Sequence, residues 1–124
     1  MANKKREFPK QGEIWLLKND NKIKEFSKDY RPVLIISDDE RNENDDSVVT
    51  VPLTTDRVED IQLFEVFIEN TSETGLDYPS KIICDSPFTL NKELRFEKRL
   101  GVVSKEIMKK VKIAWKITFH WNTN

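Results

Sequence analysis

Two apolar segments on either side of an acidic turn constrain the fold of this chain more than any other feature. The first, Val33-Leu34-Ile35-Ile36-Ser37, follows Arg31-Pro32, and the second is Val48-Val49-Thr50-Val51-Pro52-Leu53-Thr54-Thr55. Because β-branched runs flanking an Asp- and Asn-rich turn are typical of strands, both segments are predicted to be strands and residues 38–46 a turn. Pro32 has a fixed φ and holds the Arg31 guanidinium just outside its strand. If the two strand ends meet, Arg31 and Thr54 form an anion-binding corner suited to a phosphate.

The rest of the sequence predicts a small, mainly β protein. Further strands are predicted from the patterns at 13–17, 62–69, 81–84 and 100–103, with turns at Gly75 and Pro79 and a helical turn at 91–95. In 62–69, Phe64, Val66 and Ile68 alternate with Glu65, Phe67 and Glu69. The polar segment 18–30 is long for a hairpin connection and is a candidate functional loop.

The last element has a different period. Apolar residues recur at helical spacing over 105–118, after Ser104, which is a good N-cap, so this segment is predicted to be an amphipathic helix. Lysines 105, 109, 112 and 116 form its solvent-facing stripe. We therefore expect an α+β fold, a strongly bent antiparallel sheet or small barrel with short helices and a C-terminal α-helix.

Composition narrows the class of protein. The chain has 124 residues, 37% hydrophobic and 35% charged, which indicates one globular domain, residues 1–124, with a loose basic lead-in at 1–11. No apolar run is long enough for a membrane span or a secretory signal, and a single cysteine fits a reducing compartment, so we expect a cytoplasmic protein. The net charge is −1, but 38–73 is strongly acidic and 91–116 strongly basic. This asymmetry allows steering of a polyanion to one side of the molecule.

Few residues are available for chemistry. No phosphate-binding glycine loop or nucleophile elbow is present, and one cysteine with one histidine gives too few strong ligands for zinc. We expect Cys84 to lie in the core and His120 on the surface. Carboxylates, hydroxyls and arginines remain, which suit metal-free phosphoryl chemistry on RNA, whose 2′-hydroxyl is its own nucleophile. Taken alone, Arg31 is better explained as an ion-pair partner and Thr54 as an ordinary strand threonine.

The order of several short segments changes this interpretation. The segments are Gly12-Glu13-Ile14-Trp15, Arg31 to Ser37, Val48 to Thr54, Thr74-Gly75-Leu76 and Ile83-Cys84-Asp85. Over about residues 10–118 the chain resembles the MazF/PemK (Kid) family of type II toxins. The resemblance implies an SH3-like barrel with added helices. It also implies a cytoplasmic, homodimeric endoribonuclease that needs no metal or other cofactor and leaves 2′,3′-cyclic phosphate ends on single-stranded RNA. The implied protein partner is an antitoxin with an acidic, disordered tail, with which such toxins also bind DNA.

The resemblance assigns roles residue by residue. Arg31 matches the catalytic arginine, which stabilises the phosphorane, and Thr54 the catalytic threonine, which hydrogen-bonds the scissile phosphate. RNA contacts are assigned to Glu25, Lys28, Thr55 and Asp85. The general base stays open between Glu25, Asp85 and a solvent molecule.

The sequence also departs from the family pattern. The loop before Arg31, residues 24–30, lacks the usual glycine, which alters the expected RNA groove. Ser86 and Phe88 stand where many members have glutamine and arginine, and residues 117–121 have no clear counterpart. Two alternatives follow, an inactivated RNA-binding member and a CcdB-like gyrase poison on the same scaffold. The poisons end in Trp-Gly-Ile, whereas this chain ends Trp121-Asn122-Thr123-Asn124, which favours the nuclease.

Overall fold

Seven strands and two helices form the part of this computed structural model that is described, residues 7–18 and 32–120. The strands form one antiparallel sheet in the order β4-β5-β3-β2-β1-β7, and β6 also pairs with β3. Within these residues the path has two ends and does not close. In chain order the elements are β1 (Glu13–Leu17), β2 (Pro32–Ile35), α1 (Asp39–Asn44), β3 (Ser47–Thr54), β4 (Glu65–Ile68), β5 (Ser80–Ile83), β6 (Phe88–Asn91), β7 (Phe96–Val102) and α2 (Lys105–Thr118).

This architecture confirms the predicted mainly β, α+β fold with a C-terminal helix. The helix has the predicted bounds, and its cap is also as expected, because the Ser104 side chain accepts a hydrogen bond from the N–H of Ile107. The strands at β1, β2, β3, β4 and β5 lie where the sequence places them, to within a few residues at their ends. A chain of this length can bury a substantial hydrophobic core, and here the core consists of two clusters, one on each face of the sheet.

Three local predictions need correction. Residues 38–46 contain the helix α1 rather than only a turn, because the Asp38 side chain caps it by accepting from the N–H of Glu40. The strand β6 is absent from the sequence prediction, since it is four residues long and is defined by pairing with β3. The strand expected at 100–103 begins earlier, at Phe96, where its partner β1 extends the ladder.

The sheet buries a separate hydrophobic cluster on each face. Alternate residues of β2 show this, since Leu34 belongs to one cluster and its neighbours Val33 and Ile35 belong to the other. The first cluster lies beneath α2, through Val111 and Ala114, and includes the inward residues of β3, β4 and β5. The second lies among β1, β2, β3, β6 and β7. Apolar residues therefore lie on both faces of the sheet within the described part of the chain.

A close backbone contact brings the turn after β4 against β7. The Val102 N–H donates to the Glu73 carbonyl at 2.9 Å. Gly75 has a φ of 69°, and a Cβ built on it would lie 1.9 Å from the Leu100 carbonyl oxygen. Only glycine fits here without movement of the backbone. This explains why a glycine stands in the segment Thr74-Gly75-Leu76, one of the segments that carry the family resemblance. In the part of the chain that the structure describes, no helix has the length and hydropathy needed to cross a membrane.

Candidate functional site

Thr54 is the last residue of β3 and is 4% exposed, whereas the neighbouring Thr55 is exposed. The Thr54 Oγ1 accepts a hydrogen bond from the N–H of Asp56 at 3.1 Å. This bond uses an oxygen lone pair and leaves the hydroxyl hydrogen to donate elsewhere. No residue among 7–18 and 32–120 accepts it. Thr54 is therefore a buried hydroxyl at the end of its strand, held by the Asp56 N–H, with no acceptor for its own hydrogen among residues 7–18 and 32–120.

A row of three side chains crosses the sheet at the Thr54 end of β3. Thr54 pairs with Lys81 of β5, and Lys81 pairs with Phe67 of β4. Because paired residues of antiparallel strands point to the same face, all three lie on the face opposite the α2 cluster. The alternation predicted for β4 is confirmed, since Val66 and Ile68 are buried and Phe67 is 39% exposed.

Lys81 makes the polar floor of this region. Its Nζ lies 2.9 Å from Glu65 Oε1, and the two side chains are only 7% and 10% exposed. Nζ also donates to the Asp60 carbonyl at 2.9 Å, while Glu65 Oε1 accepts from the N–H of Gln62 at 2.9 Å. The ion pair thus ties the segment that follows Thr54 to strands β4 and β5. Sequence reasoning missed it, although a lysine inside an apolar strand and a glutamate in an alternating one were visible signals.

The turn after Thr54 has an unusual backbone. Arg57 has a φ of 51°, the left-handed region that non-glycine residues seldom adopt, and it is the one described non-glycine residue with a positive φ. Its carbonyl accepts from the N–H of Asp60 at 3.0 Å. The exposed side chain makes no hydrogen bond or ion pair with residues 7–18 or 32–120. Sequence analysis did not select Arg57, because nothing local distinguishes it from other surface arginines.

Asp85 lies elsewhere along the sheet. It comes four residues after Lys81, which is at most about 13 Å of extended chain. Since β5 runs antiparallel to β3, this displacement is toward the middle of β3 and away from Thr54. Asp85 is half-buried, and its Oδ1 is buried with no hydrogen-bond partner in the described part of the chain. Asp85 is therefore displaced from Thr54 along the sheet.

The predicted positions of Cys84 in the core and His120 on the surface are confirmed. Cys84 is fully buried in the cluster beneath α2, and His120 is exposed. Burial, with the nearby carboxylates of Asp85 and Glu65, raises the pKa of the Cys84 thiol to about 12. A neutral, buried thiol has little nucleophilic character at neutral pH. Among the described residues no three His, Cys, Asp or Glu side chains form a group able to hold a metal ion.

Three predicted site residues, Arg31, Glu25 and Lys28, lie outside the described residues. The position next to Arg31 is described, however. Pro32 begins β2 and pairs with Leu16, and the following residue, Val33, pairs with Pro52 of β3. Thr54 lies two residues beyond Pro52 along β3. Pro32 is thus at the Thr54 end of the β2–β3 pair.

A second surface feature lies on the other side of the sheet. A cavity of about 770 Å³ opens between α2 and the sheet, with an apolar floor that includes Val49, Val111 and Trp115. Lys105, Lys109 and Lys112 line the helix side. The arrangement offers an apolar surface with cationic groups at its edge, which suits a ligand that is both apolar and acidic.

Comparison with solved structures places this fold among bacterial toxins. An endoribonuclease from a Mycobacterial species, in complex with its cognate antitoxin, is 23% identical over 94% of this chain and 99% of its own, with a TM-score of 0.72. The Mycobacterium tuberculosis toxin MazF-mt6 is 20% identical over 89% and 98% of the two chains, with a TM-score of 0.69. MazF in a MazE–MazF complex from Deinococcus radiodurans is 18% identical over 94% and 100%, with a TM-score of 0.70.

At these identities the structures establish the fold, and the sequence establishes the family. The pattern of the PemK-like, MazF-like toxins of type II toxin–antitoxin systems matches residues 10–119, nearly the whole chain. A comparison with curated protein sequences finds no significant match. The chain belongs to the MazF/PemK toxin family, as the resemblance predicted.

Proposed function

We propose that this protein is a metal-independent endoribonuclease that cleaves single-stranded RNA and leaves a 2′,3′-cyclic phosphate. The observation that carries the proposal is the Thr54 hydroxyl at the end of β3, in a chain of this toxin family. This hydroxyl accepts from the Asp56 N–H, and its own hydrogen has no acceptor among the described residues. The names of similar structures support the activity, since proteins from Mycobacterial species with this fold are called endoribonucleases.

The chemistry follows from the substrate. The RNA 2′-oxygen loses its proton to a base and attacks the adjacent phosphorus. The bond from phosphorus to the 5′-oxygen breaks, and the leaving 5′-oxygen takes a proton from solvent. Thr54 donates its hydrogen bond to a non-bridging phosphate oxygen, where negative charge increases in the transition state. The Arg31 guanidinium stabilises the same charge. Glu25, Asp85 and a solvent molecule are the candidates for the base that removes the 2′-proton, and of these Asp85 lies away from Thr54.

Covalent geometry supports the pairing of Arg31 with Thr54. The Cα of residue 31 is bonded through one peptide to Pro32 and so lies within about 3.8 Å of the Pro32 Cα. Pro32 occupies the Thr54 end of the β2–β3 pair. The covalent attachment of residue 31 at this end supports the proposal that Arg31 and Thr54 act on one phosphate.

The proposal includes the partners of the family. We infer a homodimer with an RNA path that includes Thr55 and Asp85 from the described residues, and Glu25 and Lys28 beyond them. We also infer an antitoxin whose acidic tail binds this chain. The cavity beside α2 supports the second inference, because its lysines complement acidic side chains and its floor accepts apolar ones.

The test is incubation of the purified protein with several long single-stranded RNAs in EDTA. We expect discrete fragments with cyclic phosphate ends, and a loss of about 100-fold or more in cleavage rate for Arg31→Ala and for Thr54→Val. Thr54→Ser, which keeps the hydroxyl, serves as the matched control and should retain much of the rate. Cleavage that requires added Mg²⁺, or that survives Thr54→Val unchanged, contradicts the proposal.

A second candidate, an RNA-binding member without nuclease activity, is favoured by Phe88. This residue occupies the position where many members carry an arginine, and it packs against the second cluster instead of offering a phosphate contact. Binding of the same RNAs without any cleavage, in EDTA and in Mg²⁺, distinguishes this candidate from the nuclease.

A further inference from the structure

We propose that Arg57 is a phosphate-binding residue that positions RNA beside Thr54. The proposal rests on the proposed function, and it adds a contact that neither the family pattern nor the sequence analysis assigns. Three independent observations carry it: the Arg57 backbone conformation, its unpaired charge, and its connection to Thr54.

The backbone conformation at residue 57 selects against arginine. At a φ of 51°, glycine is comfortable and asparagine or aspartate is tolerated, whereas a long side chain is disfavoured. Two hydrogen bonds fix this conformation, from the Asp56 N–H to Thr54 Oγ1 and from the Asp60 N–H to the Arg57 carbonyl. Strained positions of this kind are concentrated at binding sites, where the side chain has a use that offsets the strain.

The charge at residue 57 is isolated. The strongly acidic stretch 38–73 contains two basic residues, Arg41 and Arg57, and Lys81 adjoins it in the sheet. Arg41 and Lys81 both form ion pairs. Arg57 has no ion-pair or hydrogen-bond partner in the described part of the chain, although Asp56, Glu59 and Asp60 adjoin it in sequence. A free guanidinium binds phosphate through two parallel hydrogen bonds. It also offsets the repulsion that these carboxylates exert on a polyanion.

The connection to Thr54 defines which phosphate Arg57 contacts. The residue is three positions after Thr54, and Thr54 Oγ1 itself anchors the turn that presents Arg57. Lys81 holds the far side of the same turn through the Asp60 carbonyl. The turn is therefore fixed relative to the candidate hydroxyl, and the guanidinium meets a phosphate next to the one that Thr54 binds.

The test measures RNA binding against salt concentration. Cleavage of a long RNA by the wild type first maps a cut sequence, and a labelled 2′-O-methyl oligonucleotide of that sequence then serves as an uncleavable ligand for fluorescence anisotropy. The variants are Arg57→Asn, which suits the backbone and removes the charge, and Arg57→Lys, which keeps the charge. Lys110→Gln, on the exposed surface of α2, removes an equal charge far along the chain from Thr54.

We expect Arg57→Asn to weaken binding about fivefold at low salt and to reduce the slope of log K against log salt by about 0.7. Arg57→Lys should keep the wild-type slope, and Lys110→Gln should not change it. The melting temperature of Arg57→Asn should be equal to or above that of the wild type, because asparagine relieves the strain.

Each other result has one meaning. If the wild type cleaves RNA but Arg57→Asn leaves the slope of log K against log salt unchanged, the proposed role of Arg57 is wrong. The nuclease proposal is then unaffected. An equal loss of slope for Lys110→Gln also overturns it, since the effect is then one of net charge. If the wild type neither cleaves nor binds any of the RNAs, the proposed function itself fails.

Discussion

Arg41 and Arg57 stand at opposite ends of β3, and their surroundings differ sharply. Before the strand, Arg41 donates to the Ser47 carbonyl at 2.9 Å and lies 3.7 Å from Asp45. After the strand, Arg57 has a strained backbone and a guanidinium with no partner among residues 7–18 and 32–120. One arginine is thus bonded within the protein at the Ser47 end, whereas the other, at the Thr54 end, has no partner among the described residues.

Other polar groups at the Ser47 end of β3 are also hydrogen-bonded within the protein. Lys92 Nζ donates to the carbonyls of Asn42 and Glu43, at 2.6 Å and 2.9 Å, and so satisfies the C-terminal end of α1. At the Thr54 end, Lys81 and Glu65 bond each other in the buried floor, whereas the Arg57 guanidinium makes no hydrogen bond or ion pair with residues 7–18 or 32–120. Polar groups that are already bonded have little to offer a ligand. The difference therefore separates the structural end of β3 from the candidate functional end.

The largest effect is expected from removing the floor of the Thr54 end. Lys81→Met leaves the Glu65 carboxylate buried and without its counter-charge, which should lower the free energy of unfolding by about 3–5 kcal/mol. Chemical denaturation of the variant and the wild type at pH 7 measures the loss. The comparison between the two ends of β3 predicts that cleavage by the folded fraction also falls, because Lys81 anchors the turn after Thr54.

The double variant Lys81→Met, Glu65→Gln is the control for this prediction. It removes both charges while glutamine keeps an oxygen for the Gln62 N–H, so it should recover at least half of the lost stability. A double variant as unstable as the single one would show that the lysine stem, and not the ion pair, supports this region.

A smaller effect is expected at the structural end. Arg41→Gln removes the hydrogen bond to the Ser47 carbonyl and should cost about 1 kcal/mol of stability, since the side chain is 38% exposed. Its RNA-binding salt slope should equal that of the wild type, the reverse of the result expected for Arg57→Asn. If Arg41→Gln lowers the slope as much as Arg57→Asn does, the two ends of β3 are not functionally different.

The sequence predicted much of this fold because its strong signals were periodic. The helix 105–118 and the strand β4 each have apolar residues on one face. That face is buried whichever element packs against it, so the local sequence is enough to predict both. The helix α1 was missed because Asp and Asn favour both turns and helix N-caps, and only the Asp38 side chain bonded to the Glu40 N–H distinguishes them. The strand β6 depends on pairing with a strand about 40 residues away, which a local pattern does not show.

The candidate site was predicted in part, through Thr54 and its place at a strand end. Lys81 and Arg57 were missed for different reasons. The Lys81–Glu65 pair requires the β4–β5 register, which places Glu65 opposite Ile83 and Phe67 opposite Lys81. Arg57 requires a backbone angle, and an isolated arginine in an acidic stretch carries no sign of that angle. Such features arise from the assembled sheet and its turns, so sequence pattern alone does not reach them.

The last expected effect, similar in size to that at Arg41, concerns Cys84 in the cluster beneath α2. Burial and the carboxylates of Asp85 and Glu65 raise the pKa of this thiol from 9.0 to about 12. The unfolded chain releases the proton at lower pH than the folded one, so the stabilisation is complete below pH 9 and is lost as pH rises toward 12. At pH 10 the loss should be about 1 kcal/mol.

Comparison with Cys84→Val isolates this contribution from the lysines and tyrosines that titrate in the same range. The difference in unfolding free energy between wild type and variant should be constant from pH 7 to 8.5 and should shift in favour of the variant by pH 10. A difference that stays constant to pH 10.5 would mean that the folded thiol titrates normally. Cys84 would then be accessible to water. The interior behind the Lys81–Glu65 ion pair would also be accessible to water, like the surface at Arg57. The proposed difference between a buried ion pair and an exposed guanidinium would then not hold.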